Sequence, residues 1–262
     1  MGTRLFERTN GGTRPTVVGS EFLDSARRIF DDMEAIKARL KTRARGESGR
    51  LTIGIHASIT AGNLRATLAD HRHRFPDVER YLIDGSSDHL ISDVAASAID
   101  VAFVARNHAA AFDKRSLSVW SERVVVAISE GHALAGHDFV RWCDLRDEVL
   151  LLPQRGPGQE LLELVISKTG QPYPNRIMRH DVGLDRLLTL VSAGWGMLLA
   201  LEGATGAVYP GVTYREIHGP EGQTRLAFRA YWCKDNCNPS LPPFLDILRE
   251  RYPDISADPE LG

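Results

Sequence analysis

The chain is short of the features that announce a membrane protein, a secreted domain or an enzyme. No run of about 18 apolar residues is present, and no charged-then-apolar leader with a small-residue cleavage site opens it. A soluble, cytoplasmic protein without membrane contact is expected. Three cysteines, Cys143, Cys233 and Cys237, are too few and too unevenly spaced for a disulfide framework. Cys233 and Cys237 form a Cys-x-x-x-Cys pair, but no second Cys/His pair at ligand spacing accompanies it, so neither a redox switch nor a metal centre is expected. A Gly-x-Ser-x-Gly elbow and a phosphate-cradling glycine fingerprint are also missing. Enzymatic chemistry, a cofactor and a metal therefore have no positive sign. His71 and His73 are two apart, which on a helix points them to different sides, and both are read as surface residues.

A strong net charge is lacking too, at −2 for 262 residues. Its distribution is uneven, because the first 50 residues hold 11 Lys and Arg against 7 Asp and Glu, leaving an acidic remainder. A basic arm on an acidic body suits a chain whose arm meets a polyanion.

What is present starts with the ribbon LFERTNGGTRPTVV. Asn10-Gly11 and Gly11-Gly12 supply the positive φ of a tight turn, with Leu5-Phe6 and Val17-Val18 as flanking strands. Phe22, Ala26, Ile29, Met33, Ile36 and Leu40 follow at spacings of 4, 3, 4, 3 and 4, a heptad seam narrower than a core-facing stripe. Residues 20–46 thus read as a helix that pairs with a second one, the alternative being a single helix packed on its own domain. It is expected to stop at Arg45-Gly46-Glu47-Ser48-Gly49.

Beyond this hinge, apolar runs and amphipathic stretches alternate. Strands are expected at 51–55, 78–83, 100–105, 124–129, 149–153, 176–182, 196–201, 212–218 and 225–233. Helices are expected at 63–75, 88–98, 160–170, 185–194 and 242–252. Such alternation implies parallel βαβ units. The series occurs twice, which implies two similar lobes with a cleft between them.

Taken in order, LFERTNGGTRPTVVG, the heptad helix, Gly49-Arg50-Leu51-Thr52-Ile53-Gly54, Arg74-Phe75-Pro76-Asp77-Val78, Asp100-Val101-Ala102-Phe103, Glu130-Gly131-His132-Ala133-Leu134-Ala135 and Leu190-Val191-Ser192-Ala193-Gly194-Trp195-Gly196 resemble a LysR-type transcriptional regulator over nearly the whole chain. Ala133 and Leu201 stand where that family commonly has proline. The resemblance implies an α/β fold: a two-lobed, periplasmic-binding-protein-like effector domain of two βα sandwich lobes with a cleft, preceded by a β-hairpin wing and a long linker helix. Residues 1–19 would be the wing, with Arg4, Arg8 and Arg14 on the DNA backbone. Residues 20–46 would be the dimerisation helix. Residues 50–262 would be the effector domain, with one lobe at about 50–123 and 227–262 and the other at about 124–226. The implied partners are a small-molecule effector, DNA in the full-length protein, and further copies in a homodimer or homotetramer. The helix-turn-helix that precedes the wing in that family is not among these residues, so the chain either starts late or belongs to a shortened protein.

Ser58-Ile59-Thr60 follows the first strand of the effector domain, and Ser58 is expected to cap the next helix, where free amides favour an anion. The resemblance makes this turn one wall of the effector pocket. Gln154 and Arg155 in Pro153-Gln154-Arg155-Gly156-Pro157-Gly158 lie at the equivalent junction of the other lobe, with Arg155 suited to a bidentate carboxylate. Asn107 in Arg106-Asn107-His108 and Asp181 in His180-Asp181-Val182 follow strand C-termini, where open α/β sheets bind ligands. The expected function is effector sensing of a small anionic metabolite by a DNA-binding regulator. A stand-alone cytoplasmic solute-binding module that never meets DNA is the alternative, and a two-lobed enzyme such as a small transferase comes third.

Overall fold

A computed structural model describes residues 3–9, 12–105, 115–169 and 176–253. Strands β1 (Phe6–Thr9) and β2 (Gly12–Pro15) pair antiparallel, with Glu7 opposite Arg14 and Arg8 opposite Thr13. Val17 and Val18 were expected to belong to this ribbon and instead open helix α1 (Val17–Ala44). The Thr16 hydroxyl accepts the Gly19 amide at 3.0 Å, a side-chain cap that starts the helix earlier than expected and leaves Glu21 outside the first turn. The helix ends beside Gly46, whose φ of +72° and tight passage against the Pro239 carbonyl admit no side chain. Along the seam Ala26 is half-buried, and Phe22, Ile29, Met33, Ile36 and Leu40 are exposed, Ile29 to 67%.

The first lobe begins with β3 (Gly49–Ile55), α2 (Gly62–Arg74), β4 (Val78–Asp84), α3 (Ser87–Ala95) and β5 (Val101–Val104). Next comes β6 (Arg115–Ser129), a 15-residue strand of which only the second half was expected. The second lobe contains β7 (Phe139–Arg141), β8 (Leu150–Pro153), α4 (Gly158–Thr169), β9 (Ile177–His180), α5 (Leu184–Ser192), β10 (Met197–Leu201), β11 (Val212–Gly219) and β12 (Gly222–Gln223). The chain returns through β13 (Arg225–Trp232) to α6 (Leu241–Arg251) in the first lobe.

The strand order is β4-β3-β5-β13-β6-β10-β8-β9, with β11 joined to β6, β7 and β12. The expected βαβ units are parallel, β3 with β4 and β5 and β8 with β9 and β10, while β13 and β6 run antiparallel to their neighbours. Strand β6 joins the lobes. From Arg115 to Arg123 it pairs with β13, and from Val124 to Ser129 it pairs with β10 and β11. The return crossing lies beside it, where the Thr224 carbonyl accepts the Val124 amide at 2.8 Å and the Thr224 amide donates to Ile217 at 2.8 Å. Two adjacent strand crossings thus connect the lobes.

In the first lobe Trp120 stacks on Phe103 and Phe228, with ring centroids 5.2 and 5.8 Å apart, above Phe244. His71 was expected at the surface and is fully buried. It lies on the stripe Leu64, Thr67, His71 that α2 turns inward, a spacing of three and four that places all three on one face. Its Nδ1 accepts Arg80 Nε at 3.0 Å. Burial, helped by the Arg80 charge, lowers the imidazole to a pKa of about 4. Among the described residues no helix is long and apolar enough to cross a membrane.

Candidate functional site

A cavity of about 510 Å³ opens between the lobes. The first lobe contributes Ile55 to Thr60 and Asp84, and the second contributes Pro153, Arg155 to Pro157, Asp181 to Leu184, Arg186, Leu187 and Leu198 to Leu201 of β10. Its lining includes the apolar Ile55, Ile59, Leu184, Leu187 and Leu199 and the polar His56, Ser58, Thr60, Asp84, Arg155, Asp181 and Arg186.

Of the six expected effector-binding residues, Ser58, Thr60, Arg155 and Asp181 meet at this cavity. Gln154 is exposed and does not line it; its amide is tied to the His180 carbonyl at 2.9 Å. Asn107, with Arg106 and His108, lies outside the described residues.

Ser58 is not the helix cap. The N-cap of α2 is Ala61, three residues later. The reason lies in the opposite lobe, where the Gly203 carbonyl takes the Ala61 amide at 3.0 Å and the Thr60 hydroxyl at 2.7 Å. Thr60 is therefore committed to holding the lobes together. Ser58 is freer, with contacts of 3.4 to 3.5 Å to Thr60. Gly203 packs so closely that an added Cβ would collide with the Ser58 carbonyl.

Arg155 also has a partner. Its Nε donates to Asp181 Oδ1 at 2.6 Å and Nη2 to Oδ2 at 3.3 Å, a forked pair that raises the guanidinium above its ordinary pKa. The two side chains are 76% and 51% exposed, so solvent screens the pair. Asp84 stands on the facing wall. Burial pushes its carboxyl upward, opposed by the Gly85 amide, His56 and Arg155.

The sequence reading missed the most deeply buried polar group of the site. His56, fully buried at the end of β3, places Nε2 3.1 Å from Glu160 Oε2 and 3.3 Å from the Ser87 hydroxyl. Ser87 donates to Glu160 Oε1 at 2.6 Å. Burial opposes charge on Glu160, yet the contacts with His56 and Ser87 outweigh it and hold the carboxyl at about 2. Ser, His and Glu in contact invite comparison with a nucleophilic triad. There the nucleophile and the acid occupy opposite ring nitrogens, whereas here both crowd Nε2 and the serine proton goes straight to the carboxylate. The arrangement ties β3, α3 and α4 together. No motif marks it, because its members are 31 and 73 residues apart in sequence.

A second buried carboxyl, Glu122, sits on β6 just before the crossing. It accepts Trp120 Nε1 at 3.3 Å and the Gly203 amide at 3.1 Å, and burial raises its pKa. Next to it Arg123 pairs with Glu202 at 2.6 Å and with Glu216.

The family model for the LysR substrate binding domain matches residues 44–253. Among curated relatives, the HTH-type transcriptional regulator TtuA of Agrobacterium vitis is 25% identical, over 95% of this chain and 83% of its own length. The transcriptional dual regulator GltC of Bacillus subtilis (strain 168) is 26% identical over 82% of this chain and 71% of its own. Of the solved structures, CbnR, a LysR family transcriptional regulator, superposes with a TM-score of 0.79 at 22% identity, over 95% of this chain and 85% of that one. The BenM effector binding domain with its effector benzoate gives 0.63 at 19% identity, over 77% and 90%. These two likenesses are of fold. The relatives are regulators, and the family match takes in both lobes, so the chain belongs to the LysR family of transcriptional regulators through its substrate-binding domain.

Proposed function

We propose that the chain is the effector-sensing and dimerising part of a cytoplasmic LysR-type regulator, and that its effector is a small carboxylic acid with an apolar body, held between the lobes. The observation that carries this reading is the cavity itself, whose lining combines apolar side chains with Ser58 from one lobe and Arg155 from the other. An acid seated there takes hydrogen bonds from both walls and binds the closed arrangement more tightly than an open one. The benzoate of the BenM effector domain, an apolar ring with one carboxylate, supports the same chemical class. In the full-length protein the exposed Arg4, Arg8 and Arg14 contact DNA phosphates, and the seam from Phe22 to Leu40 pairs subunits into a homodimer or homotetramer.

Thermal unfolding against a panel of aromatic and aliphatic carboxylates, with the matching amides as neutral controls, tests the ligand class. An acid at a hundred times its Kd adds about 2.7 kcal/mol of stability by linkage. Ser58→Ala and Arg155→Gln should each weaken that response without lowering the unliganded melting temperature. Equal responses to amide and acid, or a response untouched by both substitutions, would remove the carboxylate assignment.

A further inference from the structure

We propose that His56, Ser87 and Glu160 form a clasp that sets how far the two lobes close, with His56 as the positioning residue shared by the clasp and the cavity wall. The proposal rests on the reading of the cavity as the effector site and adds the device that controls its closure.

The placement carries the argument. His56 and Ser87 belong to the first lobe, at the end of β3 and the start of α3, while Glu160 lies in the first turn of α4 in the second. All three are buried, with 0%, 2% and 7% exposure. A charged carboxylate is rarely left so dry inside one domain without partners, and beyond its own backbone amide the side-chain partners of Glu160, His56 and Ser87, come from the other lobe. Separating the lobes therefore strips it of each at once. Backbone packing adds to the grip, since Gly156 passes the His56 carbonyl so closely that a Cβ would sit 2.9 Å from the oxygen.

The segment from His56 to Ala61 is thus held at both ends by the second lobe. At one end the clasp grips His56, and at the other Gly203 takes Thr60 and Ala61. Ser58 lies between them on the cavity wall. The Gly203 end is made largely of backbone groups beside the β6 crossing, whereas the His56 end is made of side chains. Glu160 from α4, Ser87 from α3, Asp84 and the Gly85 carbonyl from the end of β4, and Glu122 from β6 surround the imidazole. Because His56 also lines the cavity, an occupant that touches the ring changes the contact that keeps the lobes together.

Hydrogen exchange read by mass spectrometry on the whole chain without ligand, with Glu160→Ala, Glu160→Gln and Ser87→Ala, tests this. In Glu160→Ala, peptides covering 56–61 and 156–164 should exchange about tenfold faster or more, while those of β5, β13 and α6 keep the wild-type rate. The radius from small-angle scattering should rise with them. Glu160→Gln keeps a partner for Ser87 and loses the charge, so it should open less than Glu160→Ala, and it replaces that variant if the alanine form does not fold. A uniform rise across both lobes, or none at the two gripped segments, overturns the clasp. No ligand enters the measurement, so its failure leaves the carboxylate reading standing, and a silent carboxylate panel leaves the clasp standing.

Discussion

Replacing Gly203 with alanine should cost the protein stability at one place, the contact between the lobes beside β6. Gly203 has ordinary backbone angles, so alanine meets no conformational penalty there. The added methyl, however, collides with the Ser58 carbonyl and comes within 3.2 Å of Glu122 Oε2. Neither neighbour yields easily, one being backbone and the other a buried carboxyl. Overpacking of this kind costs about 1–3 kcal/mol. If the strand end moves away, Gly203 also loses the bonds it accepts from Ala61 and Thr60, each worth about 0.5–1.5 kcal/mol. The smaller unfolded-state entropy of alanine returns about 0.4–1 kcal/mol. The net loss is near 3 kcal/mol, which for a chain of this size lowers the melting temperature by roughly 6–12 °C. Gly219 is the control, since a Cβ there meets nothing nearer than 3.8 Å, and Gly219→Ala should stay within about 0.5 kcal/mol of wild type. Denaturant and thermal unfolding of the two variants decide the matter. A Gly203→Ala protein melting within 2 °C of wild type, about the shift of 1 kcal/mol at most, would show that the lobes do not meet as tightly as this packing requires.

Light scattering should give a lower subunit count for a chain beginning at Arg50 than for all 262 residues, because the exposed seam from Phe22 to Leu40 is then removed; equal counts would exclude α1 as the pairing element. The 262-residue chain should bind duplex DNA weakly and without sequence preference, losing it as salt rises, since Arg4, Arg8 and Arg14 offer on the order of six phosphate contacts per dimer, and phosphate contacts position a protein without reading sequence. A mobility-shift assay with a scrambled duplex checks this, and salt-resistant, sequence-selective binding would refute it. Acid should destabilise the protein in two windows. His71 binds its proton near 6.5 when unfolded and near 4 when folded, so its contribution is whole above 6.5 and falls away toward pH 4, on the order of 3 kcal/mol. Glu160, depressed from 4.5 to about 2, contributes stability above 4.5 that is lost as pH falls toward 2. Urea midpoints against pH should lose the upper window in His71→Gln and retain the lower one; an unchanged upper window would assign it to another group.

Much of the architecture was written in local pattern. Apolar runs and amphipathic stretches located most strands and helices of the two lobes within a few residues, because burial on one face repeats at the period of the element. The heptad spacing marked α1, and the family resemblance rested on short segments in a fixed order. The first half of β6 escaped notice although Ser116 and Ser118 alternate with Leu117 and Val119, a short period-two signal that the adjacent Val119-Trp120 interrupts. Other features depend on partners distant in the chain. Ser58 lost the cap of α2 because Gly203, 143 residues beyond Thr60, fixes the turn differently. Arg155 was legible as a carboxylate receptor, but its pairing with Asp181 depends on β8 and β9 lying side by side. His56, Ser87 and Glu160 carry no spacing that a reader could find, since burial and lobe contact alone bring them within bonding distance. The sequence by itself determined the elements, the family and the two-lobed plan, because these follow from periodicity and local turn chemistry. Which polar groups face each other across the cleft was decided only when the two sheets docked.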